Sequence, residues 1–282
     1  MIATGQLPIP QITARRFGAR CLPMLTDDAL YERVGVRIAF TGREGGVSED
    51  PYAALNLGSH VGDDATAVEC NRALVLEALD AADMPLVVPS QVHGDEVVEL
   101  DDVSPDALAA ARARACDGAD ALVANVAGVA ALLCFADCVP VIVVSPTGRF
   151  AVVHAGWRGV EMGVAAKAVH ALARADAVDL GPTAAGSYNV YVGPHIHATC
   201  FETGADVRRR FEARFGFTCI PDERHVDLLE ALTLGLVEAG IDRTRVADAG
   251  VCTVCSSGEY FSYRAAGGTC GRHGALAFRK AR

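Results

Sequence analysis

Residues 129–154, VAALLCFADCVPVIVVSPTGRFAVVH, hold three apolar runs separated by two short polar breaks. Val129 to Phe135, Val139 to Ser145 and Arg149 to His154 each have the length of a strand and are rich in branched side chains. Their near-continuous hydrophobicity predicts strands covered on both faces, not strands with one wet side. Upstream, Val34 to Phe40 alternates apolar and other residues, the period of a half-buried strand. A glycine-rich loop follows from Thr41 to Ser48. Asp64 to Asp80 carries an apolar stripe of Val68, Leu74, Val75 and Leu79 at helical spacing. Leu86 to Val88 and Glu96 to Leu100 are further strand candidates, and Pro105 to Ala115 is an alanine-rich helix. Downstream, Gly159 to Ala175, Thr203 to Phe215 and Asp227 to Ala239 have helical patterns, Asn189 to Val192 reads as a strand, and Val246 to Phe278 as short strands and turns. Strands and helices mixed in this order predict an α/β (α+β) protein, a single-domain mixed β-sandwich flanked by helices. Residues 1–33 read as an irregular N-terminal arm and 34–282 as one folded domain, with no internal repeat and no linker.

Composition narrows the functions. The chain has 282 residues, of which 51% are hydrophobic and 21% charged, enough for a large core and against wholesale disorder. The formal net charge of -10 argues against a nucleic-acid partner, which wants a basic stripe. Small anions stay open, because local arginines oppose the global sign. No apolar run reaches the about 18 residues of a membrane span, and Met1 to Arg20 has no secretory h-region. Together with ten cysteines, this predicts a cytoplasmic chain whose thiols stay reduced, as core fillers, ligands or nucleophiles.

Three segments each offer one soft or borderline metal ligand: Gln91-Val92-His93-Gly94, Ala136-Asp137-Cys138-Val139-Pro140 and His154-Ala155-Gly156-Trp157-Arg158-Gly159. Two imidazoles and one thiolate suit zinc, and copper as well. Three protein ligands with an open fourth position are the arrangement of catalytic zinc. The plainer alternative is a packed thiol and two histidines satisfied by backbone. Asp137 is a candidate for proton transfer, although neighbouring strand residues point to opposite faces unless the strand bulges. Arg43, among Gly42, Gly45 and Gly46, is an anion-binding candidate, with Arg158 as a second beside the single tryptophan, Trp157. His195-Ile196-His197 is a lone HxH pair, and Cys252-Thr253-Val254-Cys255 a CxxC without a second pair, read as two packed thiols.

Taken together, these segments resemble the bacterial YfiH-like proteins, described both as multicopper polyphenol oxidases and as zinc-dependent purine nucleoside enzymes. The resemblance runs from Arg37 to Phe278. It rests on Thr41 to Ser48, Pro51 to Gly58, His60 to Asp64, Asn71-Arg72, Gln91 to Gly94, Ala119 to Leu122, Ala136 to Pro140 and His154 to Gly159. Gly193-Pro194, Cys200 to Gly204, Cys252-Thr253 and Phe261 to Arg264 continue it. It implies that His93, Cys138 and His154 hold Zn2+, with copper as the other candidate. It also implies phosphorolysis of adenosine, inosine and 5′-methylthioadenosine, with a second, adenosine-deaminating activity. In that reading Cys138 and Asp137 are catalytic, Arg43 and Arg158 hold phosphate and Asn56 the nucleoside, and the partners are purine nucleosides and phosphate. The chain departs from the family's pattern at Ala265-Ala266, where an Arg-Asp pair is usual, and at an inserted Cys270. The rival chemistries are a copper-dependent phenol oxidase, a Cys138–His154 amidase acting on peptidoglycan precursors, and a non-enzymatic structural metal site. Oligomeric state is not legible.

Overall fold

A computed structural model describes residues 6–281 as strands β1 (Thr13–Phe17), β2 (Leu22–Thr26), β3 (Val36–Thr41), β4 (Leu86–Val87), β5 (Val97–Leu100), β6 (Ala121–Ala124), β7 (Ala130–Phe135), β8 (Val139–Val144), β9 (Phe150–Ala155), β10 (Asn189–Val192), β11 (Val246–Asp248) and β12 (His273–Arg279). The helices are α1 (Asp28–Val34), α2 (Ala65–Ala78), α3 (Pro105–Asp117), α4 (Trp157–Met162), α5 (Val164–Leu180), α6 (Ala205–Phe215) and α7 (Leu228–Glu238). The strands make two six-stranded sheets, ordered β1-β2-β3-β12-β7-β4 and β11-β10-β8-β9-β6-β5.

The apolar runs of residues 129–154 are buried on both faces because each strand divides its side chains between two cores. In β7, Ala131, Leu133 and Phe135 pack between the sheets, while Ala130, Leu132 and Cys134 face the layer containing α2. In β8, Ile142 and Val144 turn inward between the sheets, while Val139, Val141 and Val143 meet α5 and α7. The result is helix, sheet, sheet, helix. Antiparallel pairing dominates, so double-sided burial here comes from layering and not from parallel crossovers.

The polar break between the first two runs switches sheets, since β7 and β8 belong to different ones. The second break is a tight turn closed by Ser145 and Arg149, and it returns the chain as β9 antiparallel to β8. In that register Pro140 faces His154 and Val139 faces Ala155.

Two expectations need correction. The stretch read as an irregular arm contains the β1–β2 hairpin, which extends the sheet through β3, and α1, capped by the Asp27 carboxylate. Polar residues on β1 hid that strand, whose middle three residues are exposed at the sheet edge. Residues 1–5 of the arm lie outside the described residues. The helix expected over 159–175 is two helices, α4 and α5, broken at Gly163, which takes φ 78°. No helix among the described residues is long and apolar enough to cross a membrane.

Candidate metal centre

The break Ala136-Asp137-Cys138 turns the chain from one sheet to the other. Asp137 there has φ 89°, a left-handed value that residues with a Cβ seldom take. Three bonds hold it. Thr253 Oγ1 donates to one carboxylate oxygen at 2.6 Å, the Arg264 backbone N–H donates to the other at 2.7 Å, and Ile196 N donates to the Asp137 carbonyl at 2.9 Å. The turn removes the strand alternation that counted against Asp137, and the residue does line the cleft. Both carboxylate oxygens are nevertheless engaged, so its visible work is to set the corner that presents Cys138.

His93 comes from the loop between β4 and β5 and also has a positive φ, 59°. The cause is Asp120, just before β6. Its carboxylate accepts the backbone N–H groups of Val92, His93 and Gly94 at 3.2, 3.1 and 2.7 Å. The same group takes a 2.7 Å hydrogen bond from His154 Nδ1, which leaves Nε2 as the donor atom toward the cluster. Gln91 anchors the loop's other side, donating to the Cys134 carbonyl and accepting from its N–H, both at 2.8 Å.

These constraints bring the ligand atoms of His93, Cys138 and His154 within 4.8 Å of one another. The imidazoles meet edge to face, with centroids 4.9 Å apart. Gly156 closes the back. A Cβ there would sit 2.8 Å from His93 Cδ2 and 3.2 Å from Cys138 Sγ, so the position has room only for glycine.

The electrostatics favour a thiolate. Burial pushes the Cys138 thiol up, but His154 and His93 outweigh it and bring the thiol down to about 6. Burial pulls His154 down, but the Cys138 thiolate and Asp120 outweigh it and lift the imidazole to about 9. Burial likewise works against Asp120 ionisation, yet His154 and the Gly94 and Val92 N–H groups hold its carboxyl below the ordinary range. Two imidazole nitrogens and a thiolate, backed by a carboxylate, fit zinc and copper alike.

The triad lies on the wall of a 460 Å³ cleft, within the size range of small-molecule sites. Phe201 and Tyr263 offer aromatic faces to it, and His60, Arg264 and Arg272 offer polar or cationic ones. Arg264 is exposed, and its guanidinium reaches the Cys200 and Glu202 carbonyls at 3.3 and 3.2 Å. Burial, with Arg272 next, pushes the His60 imidazole below its usual value.

The expected substrate contacts sit elsewhere. Arg43 spends its guanidinium on the Ala53 carbonyl at 3.1 and 2.8 Å and on the Ser257 carbonyl at 2.8 Å, above the Phe261 ring. It ties loops together outside the cleft lining. Asn56 is fully buried, donating to Gly58 O and Asp63 Oδ2 and accepting from Gly58 N and Arg272 N, which uses its whole amide. Arg158 lies over Trp157, 4.4 Å from the ring, and is absent from the cleft lining. Sequence reasoning passed over Asp120, His60, Arg264 and Arg272 as site residues. For Asp120, His60 and Arg264 the signal was present only as membership of the segments 119–122, 60–64 and 261–264, and Arg272 lies two residues beyond the inserted Cys270.

The family described as multi-copper polyphenol oxidoreductase laccase matches residues 37–280. A Geobacillus stearothermophilus protein named purine nucleoside phosphorylase YlmD is 33% identical over 246 residues, covering 84% of this chain and 88% of its own length. A protein named adenosine deaminase RL5, from an unknown prokaryotic organism, is 32% identical over 83% of this chain and 90% of its own. The crystal structure of YlmD from Geobacillus stearothermophilus superposes with a TM-score of 0.78 at 31% identity, covering 95% of this chain and all of that one.

Proposed function

This chain belongs to the multi-copper polyphenol oxidoreductase laccase family, and on that premise we propose that it is a zinc-dependent purine nucleoside phosphorylase. Its substrates in this reading are adenosine, inosine and 5′-methylthioadenosine, with adenosine deamination as a second activity in line with the relative named for it. The observation that carries the proposal is the convergence of His93, Cys138 and His154 on one wall of a cleft with cationic and aromatic groups beside it. His93, Cys138 and His154 would hold the ion. A divalent cation held there supplies Lewis acidity, polarising a substrate oxygen or acidifying water.

The chain's own residues do the rest. Asp120 keeps the proton on His154 Nδ1, so that Nε2 is the nitrogen that would give up its proton and offer its lone pair to an ion. Arg264 and Arg272, in place of Arg43 and Arg158, are assigned to the phosphate, since two guanidiniums beside the triad counter a net-negative chain locally. Phe201 and Tyr263 are assigned to the purine, which stacks on aromatic faces as nucleobases generally do. Asp137 acts through position, holding the Cys138 corner and the Arg264 backbone together.

One observation favours a second reading. Cys138, His154 and Asp120 form a thiolate–imidazole–carboxylate series, the constellation of a cysteine nucleophile with its base and orienting acid. An amidase built on it would survive chelation and die on thiol alkylation. The copper-oxidase reading is less well served. The single HxH pair does not join the centre, because His195 is buried with Nδ1 on the Gly193 carbonyl.

The deciding experiment incubates the purified protein with adenosine and with inosine, with and without phosphate, and follows ribose 1-phosphate and free base. Phosphate-dependent ribose 1-phosphate, lost on chelation and restored by Zn2+, is the expected result. Base release without phosphate means hydrolysis, and no turnover of either nucleoside overturns the proposal.

A further inference from the structure

The CxxC at Cys252 to Cys255 reads in sequence as two packed thiols, but the fold adds a third sulfur. Cys200 arrives from the turn after His197. The Sγ atoms of Cys200, Cys252 and Cys255 all lie within 4.8 Å of one another, and Cys200 and Cys255 are 3.6 Å apart. All three are free thiols. Sulfurs bound at about 2.3 Å to one tetrahedral ion lie about 3.8 Å from each other, so the trio is already near that spacing.

The surroundings of Cys252 are those of a ligand. Its sulfur is buried and accepts the His197 backbone N–H at 3.4 Å. Cys255 is exposed, so an ion in solution has a direct way in.

We propose that Cys200, Cys252 and Cys255 form a second metal site, an all-sulfur centre for a thiophilic d10 cation, Zn2+ or Cu+. Soft thiolate sets select these ions over hard ones. The ion clamps two pieces of the cleft wall. Thr253, inside the CxxC, donates to Asp137, and the Cys200 carbonyl accepts from Arg264. The site therefore braces the corner that presents Cys138 without contributing a ligand to the first centre.

The test separates the two centres by their sulfur count. A Cys138→Ser protein, which removes the only thiolate of the first centre, is stripped of metal and titrated with Co2+ under anaerobic, reducing conditions. A strong sulfur-to-cobalt charge-transfer band saturating at one equivalent is expected, and adding Cys255→Ser, at an exposed position, should cut it by at least a third. Titrating Zn2+ or Cu+ into the cobalt form identifies the preferred ion by which one bleaches the band at lower concentration. No band in the Cys138→Ser protein, or a band indifferent to Cys255→Ser, overturns the proposal.

Discussion

Asp120 gathers three backbone N–H groups and an imidazole onto one carboxylate, and the geometry of His93 and His154 follows from it. Asp120→Asn replaces an acceptor-only group by one that must turn an NH2 toward some of those donors. Loss of such a supporting carboxylate weakens metal affinity by roughly 10–100-fold, and competition with a chelator of known affinity measures it. His93→Ala should abolish stoichiometric Zn2+ binding and nucleoside cleavage together, and a variant that kept both would refute the ligand assignment. Gly156→Ala addresses the same site by crowding. Its φ of -68° suits any residue, so the fold should hold while the new methyl pushes on His93 and Cys138 and metal content falls. At this scale the candidate ligands, whose side chains do converge, were legible because histidine and cysteine announce their chemistry by type. Asp120 was not, since a lone aspartate near a strand looks like any solvated acid until the backbone it caps is known. Asn56 is the opposite case, a polar residue in a matching segment whose amide is spent on hydrogen bonds within the fold.

The elements most legible in sequence were those whose pattern survives in isolation. The stripe from Val68 to Leu79 became α2, entered at the Asp64 cap, and the three apolar runs became β7, β8 and β9. What the pattern missed were elements stabilised from outside, such as β1 at an edge and β6, whose four residues look too short alone but pair with β5 and β9. The segment carrying Tyr263, Arg264 and Arg272 belongs with these. It has no regular structure up to β12, and backbone bonds to Asp137 and Asn56 place its arginines. Because the Arg264 bond to Asp137 uses the main chain, Arg264→Ala keeps that brace and removes only the guanidinium. Phosphate KM should rise about tenfold or more, the ~1.4 kcal/mol or so of one charge-assisted contact, with a smaller change for the nucleoside. Equal losses for both substrates in steady-state kinetics would place Arg264 outside the phosphate site.

Across the whole molecule the decisive pairing joins the two ends of the chain: β12 lies between β3 and β7, so the last strand completes the first sheet. No local periodicity encodes a partner that far away, which is why the sandwich was readable as a class and its strand order was not. That closure also buries His273, the first residue of β12, opposite Phe135 and near Tyr260, with centroids 6.3 and 5.6 Å away. Burial drives its imidazole down to about 3, against the Pro194 carbonyl and with help from Arg272. The ring is thus neutral in the fold at pH values where the unfolded chain, near 6.5, takes up a proton. Between about pH 3 and 6.5 the unfolded state binds more protons, so stability rises with pH across that window and falls on acidification, by up to ~1.4 kcal/mol per pH unit. His60 and His195, both lowered chiefly by burial, add the same sign. The measurement is urea unfolding of the metal-free protein from pH 4.5 to 7, wild type against His273→Leu, a non-titrating side chain of similar bulk. The stability difference between the two should shift steadily in favour of His273→Leu as pH falls below 6.5. Parallel curves would show that this histidine keeps its proton in the fold and that the sheet closure carries no pH dependence.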